Sequence, residues 1–391
     1  MNGMRNHAAT AVCGVAVVLL AVASVRAADT AELISIIRSV GSEGTGNEAA
    51  GKAVAELSAG PIESLPEILA GFDGASSLAA NYLRSAAETV ADRQGADGKR
   101  LPARRLEQLV KDGTQNPRAR RLAYELLLQV DKGAEDRIIP GLLLDPSPEF
   151  RRDAVQRLIE QAGQETGPQS TATYRTALSG ATDEDQVKAI SSALEELGET
   201  VNLVEHFGFL TAWKVIGPFD NRELVGFNKV YGPEEELKLD AELEGQDGKV
   251  VWGDISTEQE FGIIDIAKSI APHKGAVMYL TTDFESDRKR DVELRFGTPN
   301  AWKIWVNGKL LFGRDEYHRG MAIDQYAVSV QVKKGPNVIL LKLCQNEQKD
   351  SWAQRYQIQL RVCDTSGIAV RPVAALAVET ETQVVSTGDT K

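Results

Sequence analysis

The chain has 391 residues, 42% of them hydrophobic, with 44 Lys and Arg against 56 Asp and Glu, giving a net charge of −12. That length exceeds one ordinary domain. The acidic balance disfavours polyanionic partners such as nucleic acid or an anionic lipid surface.

The first residues predict an export signal over 1–27. Arg5 and His7 lie in a mildly basic leader, Ala11 to Val25 is apolar, and Val25-Arg26-Ala27-Ala28 offers cleavage after Ala27. The apolar run is shorter than the roughly 20 residues a membrane span needs, and Cys13 precedes most of it, which argues against lipid attachment. Cleavage takes away Arg5 and Arg26 and moves the net charge from −12 to −14. The mature chain is therefore expected to be exported, periplasmic or extracellular, with no membrane span.

Residues 28–205 predict an all-α domain. Apolar residues recur at helical spacing, as in Leu122, Leu126 and Leu127 or Val155, Leu158 and Ile159. Gly60-Pro61, Asn116-Pro117 and Ser147-Pro148 punctuate the pattern. The last two read as helix starts, a capping side chain followed by Pro at the first helical position. Ala86, Ala123, Ala154 and Ala189 occupy one recurring frame, spaced by 37, 31 and 35 residues. A small residue on the inner helix face lets stacked helix pairs approach closely. With Asp145-Pro146-Ser147-Pro148-Glu149-Phe150-Arg151-Arg152-Asp153-Ala154-Val155, this pattern resembles degenerate HEAT or armadillo repeats. A generic helical bundle is the alternative.

Residues 209–366 switch to period two, plainly in Val292-Glu293-Leu294-Arg295-Phe296 and in Tyr326 to Val332. Turn signals fall at Gly217-Pro218, Asp247-Gly248, Lys274-Gly275, Asn307-Gly308 and Gly335-Pro336-Asn337. Asn307-Gly308 suits a two-residue type I′ hairpin, which needs positive φ at both positions. Short strands at this spacing predict an antiparallel β-sandwich. The segment resembles the galactose-binding-like jelly-roll domains of secreted bacterial proteins, on Trp213-Lys214-Val215-Ile216-Gly217-Pro218-Phe219, Trp305-Val306-Asn307-Gly308-Lys309, Lys334-Gly335-Pro336-Asn337 and Leu341-Lys342. Residues 367–391 predict a disordered tail, having no aromatic residue and no period beyond Ala374.

Cys344 and Cys363 fall on strands flanking a turn at Asp350-Ser351. One hairpin centred there places Cys344 opposite a residue near Tyr356 and not opposite Cys363, so two buried thiols are expected instead of a disulfide.

Catalytic chemistry finds little to work with. His206, His273 and His318 read as surface or capping side chains, and no Gly-x-Ser-x-Gly elbow accompanies them. No Cys/His cluster has zinc spacing. Asp283, Glu285 and Asp287 alternate as a calcium loop might, but Arg288-Lys289-Arg290 follow. No catalytic residue, metal site or cofactor is expected.

Aromatic residues are the remaining lead, because sugar sites pair an exposed ring with a few fixed polar groups. On a strand Trp302 and Trp305 face opposite ways. Trp305 is expected in the core beside Leu310, and the other tryptophans read most simply as core. Trp302, nearer a loop, is the candidate ligand contact, with Arg314, Asp315, Tyr317 and Arg319 from the loop after the hairpin. An exposed Trp302 beside Arg314 and Tyr317 favours sugar binding; a buried one leaves scaffold roles. The resemblances imply a non-catalytic exported protein whose helices take a protein partner and whose sandwich takes a glycan. A purely structural scaffold and a carbohydrate-active hydrolase with an unrecognised site remain the alternatives.

Overall fold

A computed structural model of the protein describes residues 29–96 and 100–373. The expected export signal and the chain from Ala374 onward lie outside the described residues. Helices α1 (Thr30–Arg38), α2 (Asn47–Ser58), α3 (Leu65–Ala70), α4 (Ser77–Ala96), α5 (Ala103–Lys111), α6 (Pro117–Val130), α7 (Ala134–Ile138), α8 (Pro148–Ala162), α9 (Pro168–Gly180), α10 (Glu184–Glu196) and α11 (Leu203–Phe207) precede the first strand. An antiparallel β region follows, so the α-then-β order expected from the two periodicities holds. Among the described residues no helix is long and apolar enough to cross a membrane.

Two compact units divide the chain. One comprises residues up to Leu109 with Arg118–Leu126; the other comprises Val110–Pro117 and everything from Leu127 onward. The division falls inside α6, so α7–α11 share a unit with the β region. The change from helix to strand comes later, after Phe207.

In the first unit α1–α4 bury Leu33, Ile37, Leu57, Ile68, Leu83 and Val90. Pro117 and Pro148 both open helices, as expected. Ser147, however, gives α8 no side-chain cap; its backbone N–H is held instead by Asp145 Oδ1 at 2.8 Å. Of the four frame alanines, Ala86, Ala123 and Ala154 are buried. Ala189 is exposed, because α10 turns Gln186, Val187, Ile190 and Leu194 inward, so the inner-face frame fails at its fourth position.

The strands are β1 (Ala212–Asp220), β2 (Leu243–Glu244), β3 (Lys249–Val250), β4 (Gly253–Ser256), β5 (Ile264–Asp265), β6 (Ala276–Ser286), β7 (Arg290–Gly297), β8 (Ala301–Val306), β9 (Lys309–Arg314), β10 (Tyr326–Val332), β11 (Gly335–Gln345) and β12 (Gln357–Cys363). They form a six-stranded sheet in the order β4-β1-β6-β11-β8-β9, a four-stranded sheet β10-β7-β12-β5, and a β2-β3 hairpin. Met278, Leu280, Trp302, Ile304 and Leu341 of the larger sheet pack with Leu294, Phe296, Ile358 and Leu360 of the smaller. This shared core makes the two sheets a sandwich.

The Asn307-Gly308 turn takes φ of +52° and +78° and joins β8 to β9. Asn307 Nδ2 donates to Asn337 Oδ1 at 2.9 Å, tying this turn to the Gly335-Pro336-Asn337 turn. Gly217-Pro218 is not a turn between strands: it lies inside β1, where the register against β6 shifts.

The six-stranded sheet is buried on its second face too. Ile216, Phe219, Tyr279, Trp305 and Leu340 pack there against Phe227, Tyr231, Leu243 and Trp252 from the segment after β1. Lys342, fully buried, fastens that segment. Its Nζ donates to Glu234 Oε1 and Lys229 O, both at 2.7 Å, and the Tyr279 hydroxyl donates to the same Glu234 carboxylate. The Leu341-Lys342 landmark is thus a core residue followed by a buried ion pair.

Arg361 on β12 has a similar role at the helix–sheet junction. Its Nε and Nη2 fork onto Asp324 at 2.7 and 2.5 Å, and Nη1 reaches Phe207 O at 3.3 Å and Gly367 O at 2.9 Å. Arg295 adds a second cation, 3.1 Å from Asp324. On α8, buried Arg151 donates to Asp145 O and, at 2.9 Å, to Ser366 O. Residues 367–373 are therefore not tail. Cys363 pairs with Ala369 in an isolated bridge, Val370 is in the sandwich core, and Arg371 lies 2.8 Å from Glu205.

Burial opposes ionisation of Asp324, but Arg361 and Arg295 outweigh it and hold the carboxyl below its ordinary value. A carboxyl depressed in the fold stabilises above its unfolded pKa of about 3.9 and loses that contribution as pH falls through the folded value. Asp324→Asn is expected to lower the urea midpoint at neutral pH and to flatten its decline below about pH 4. An acid decline as steep as that of the parent protein would remove Asp324 from this role.

Cys344 and Cys363 do not share a hairpin. Cys344 pairs with Val277 and Ala301 in the larger sheet, Cys363 with Glu293 in the smaller, and Tyr356 donates to Leu343 O at 2.7 Å. Both thiols are free and buried, which pushes them up to about 12 and about 11. Titration with a thiol reagent at pH 8 is expected to leave both unmodified in the native state and to label both after denaturation.

Candidate ligand-binding cleft between two edge strands

The sandwich is open along one side. There β9 ends the six-stranded sheet, β10 ends the four-stranded sheet, and no ladder joins them. Between them lies a cleft of about 450 Å³, lined by Trp302, Leu311, Phe312, Arg314, Gln325, Tyr326 and Ala327 to Ser329.

A bulge creates its chemistry. A straight two-residue hairpin through Asn307-Gly308 would pair Ile304 with Leu311 and Trp302 with Gly313. Instead Trp305 pairs with Leu310 and Ile304 with Phe312, leaving Leu311 as the extra residue. Shifting a strand by one residue reverses which side chains face the core. Phe312 and Arg314 thus arrive on the side of Trp302, and Arg314 stands directly across from it.

Trp302 is 1% exposed. Its ring packs on Phe296 at 4.6 Å, Tyr326 at 5.0 Å and Phe312 at 5.9 Å. Its indole Nε1–H is shielded from water and has no hydrogen-bond partner, a desolvated donor of the kind that costs about 1–3 kcal/mol. Phe312 is 51% exposed and forms the open aromatic wall. Arg314 lies over the Tyr326 ring at 5.8 Å, and its Nη1 meets Glu316 Oε1 at 3.2 Å. Gln325 Oε1 accepts from Thr298 N at 3.1 Å, which steadies the residue before β10.

The five candidate residues do not converge. Trp302 and Arg314 share the cleft. The expected role of Trp302 as an exposed stacking face is overturned, because the ring is buried among Phe296, Tyr326 and Phe312. Asp315 is exposed and absent from the cleft lining; partial desolvation raises its carboxyl, opposed by Lys303. Tyr317 packs with the cluster on the other face of the larger sheet, its hydroxyl accepting from Asn221 Nδ2 at 3.2 Å. Arg319 is exposed and pairs with Glu316 at 2.6 Å.

Phe312 and Tyr326 escaped the sequence reading because nothing in Leu310-Leu311-Phe312 marks a bulge. Trp352, expected in the core, is 61% exposed with its ring 5.2 Å from His318. Its place beside the Asp350-Ser351 turn was the available signal. Trp305, by contrast, is 6% exposed and pairs with Leu310, as expected.

Two of the histidines hold local structure. His206 Nε2 lies 2.9 Å from Ala181 O, with burial lowering its pKa, and His318 Nε2 lies 2.8 Å from Asn346 Oδ1. Among the described residues no group of three or more His, Cys, Asp or Glu is placed to hold a metal ion.

No family model and no curated protein matches the chain. Among solved structures, a GH31 alpha-xylosidase from Xanthomonas citri aligns at 11% identity and a TM-score of 0.19, over 40% of this chain and 16% of that one. A beta-glucosidase from Kluyveromyces marxianus aligns at 8% identity and 0.25, over 71% and 35%. An alkylpurine DNA glycosylase from Pseudomonas fluorescens, bound to DNA with an abasic site analog, aligns at 11% identity and 0.20, over 87% and 93%. The chain thus spans well under half the length of the two glycosidases. Likeness at these scores assigns neither fold nor function.

Trp302 and Phe312 should separate core from site. Trp302→Ala is expected to cost about 3–5 kcal/mol in denaturant unfolding, and Phe312→Ala less than about 0.5 kcal/mol, as for an exposed position. Equal costs would mean that Phe312 is part of the core.

Proposed function

We propose that the protein is an exported, non-catalytic binding protein. Its β-sandwich is a galactose-binding-like module that takes a glycan in the β9–β10 cleft, and its helices are HEAT-like repeats that offer a surface to a protein partner. One observation carries the glycan part: an exposed Phe312 ring, the Tyr326 ring and the Arg314 guanidinium meet in one open cleft. That combination suits a saccharide, whose C–H faces pack on aromatic rings while its oxygens accept hydrogen bonds. Export rests on the leader over residues 1–27.

The burial of Trp302 is the outcome that the sequence reading tied to scaffold roles alone, and it favours that alternative. Trp302, the largest aromatic residue at the cleft, is 1% exposed and offers no open ring to a sugar.

Glycan-array screening followed by calorimetry with the full chain tests the reading. Binding by the parent protein, weakened about tenfold or more by Phe312→Ala, is the expected result; loss of one aromatic contact of about 1.5 kcal/mol gives that factor. Silence across neutral and acidic saccharides, with protein partners recovered through the helices, would leave the scaffold. Turnover of chromogenic glycosides would overturn the non-catalytic assignment.

A further inference from the structure

The chemical class of the glycan, which rests on the cleft being a glycan site at all, is set by a single cation. Arg314 is the sole charged residue among those lining the cleft. Of its donors, only Nη1 is engaged, with Glu316 at a long 3.2 Å, and that carboxylate is shared with Arg319 at a tighter 2.6 Å. Nε and Nη2 of Arg314 carry no hydrogen bond among the described residues. The Arg314 side chain is 39% exposed, so the unused edge of the guanidinium is reachable. A planar guanidinium with two parallel free donors matches a carboxylate in a bidentate fork. The remaining lining adds an aromatic wall, Phe312, and neutral polar groups, Gln325 and Ser329; the nearby acid, Glu316, lies outside the lining and is held between Arg314 and Arg319.

We propose that the cleft selects a carboxylate-bearing saccharide, a uronic acid residue, with the carboxylate on Arg314 Nε and Nη2 and the pyranose face against Phe312. The chain's net charge of −12 opposes long polyanions, so the ligand is a short or terminal uronate.

Calorimetry on the full chain tests this with a galacturonate trisaccharide against its neutral galactose counterpart, and with a sulfated trisaccharide as the competing anion. The parent protein is expected to bind the uronate at least about tenfold tighter than the neutral sugar, the factor expected of one charge-assisted hydrogen bond. Arg314→Gln should erase that preference by bringing the uronate down to the affinity the variant keeps for the neutral sugar, and Arg314→Lys should recover only part of it, lacking the fork. Equal affinity for acidic and neutral sugars, or a preference that survives Arg314→Gln, would overturn the inference while leaving a glycan site. A sulfated sugar binding as tightly as the uronate would overturn the carboxylate assignment. Absence of binding by all three would sink the underlying glycan reading as well. Arg314 lies on an edge strand, and unchanged melting of the variants would confirm that they fold.

Discussion

A single buried guanidinium, Arg361, ties together the parts on which the cleft depends. It is 1% exposed and sits on β12, yet its donors reach the C-terminus of α11 at Phe207, the turn at Gly367 and the loop residue Asp324. Asp324 has a φ of +55°, a left-handed conformation that Asp tolerates better than most non-glycine residues. The fork from Arg361 and the second contact from Arg295 hold its carboxylate in place. Asp324 directly precedes Gln325 and Tyr326, so the wall of the cleft is placed from the core outward. Removing one partner of such a buried pair leaves the other charge uncompensated and costs about 3–5 kcal/mol, far more than an exposed ion pair. The exposed pairs on the helices, such as Lys52 with Glu48, carry no comparable constraint.

The larger sheet explains why the cleft lies at an edge. A sheet with one solvated face can build a site on that face. Here the second face is closed by the segment after β1, held by Lys342, Glu234 and Tyr279. Burying that lysine needed the carboxylate and two carbonyls together, because an unpaired ammonium in the interior is prohibitively costly. With the second face of β6 and β11 covered around Tyr279, Leu340 and Lys342, an aromatic site has no room there, and the seam between β9 and β10 offers one. Edge strands left unpaired invite non-specific pairing, and the bulge at Leu311 breaks the regular edge of β9 while building the cleft.

Much of the architecture was legible because it follows from period and turn chemistry. The switch from three-and-four spacing to alternation marked the helix-to-strand change. Asn307-Gly308 gave the β8–β9 hairpin, and Pro117 and Pro148 gave two helix starts. Other features could not be read this way. The Leu311 bulge reversed the facing of Phe312 and Arg314, and bulges leave no composition signal when no glycine occupies them. Adjacency in sequence suggests one hairpin for Cys344 and Cys363, because consecutive strands usually pair, whereas β11 and β12 lie in different sheets. Residues 367–373 look featureless, yet Arg151, far away in sequence, and Arg361, on the strand just before, fasten the chain at Ser366 and Gly367 through backbone carbonyls. Pairings between side chain and backbone over such separations have no periodicity to betray them.

Charge acts on this molecule at two ranges. The net charge of −12 is a long-range property, felt by a large polyanion over many residues at once but screened beyond about 8 Å at physiological salt. The Arg314 guanidinium acts at contact distance, partly shielded from water by Tyr326 and the walls of the cleft, where a hydrogen-bonded ion is worth more than the same pair in the open. A small anion inside the cleft therefore meets Arg314 at contact, with Glu316 beside it already paired to Arg314 and Arg319, and the more distant charges through screening salt. A long acidic chain crossing the surface meets both. An acidic protein with one cation in an otherwise neutral cleft can thus discriminate by size as well as by charge, and no other charged side chain within the cleft is needed for it.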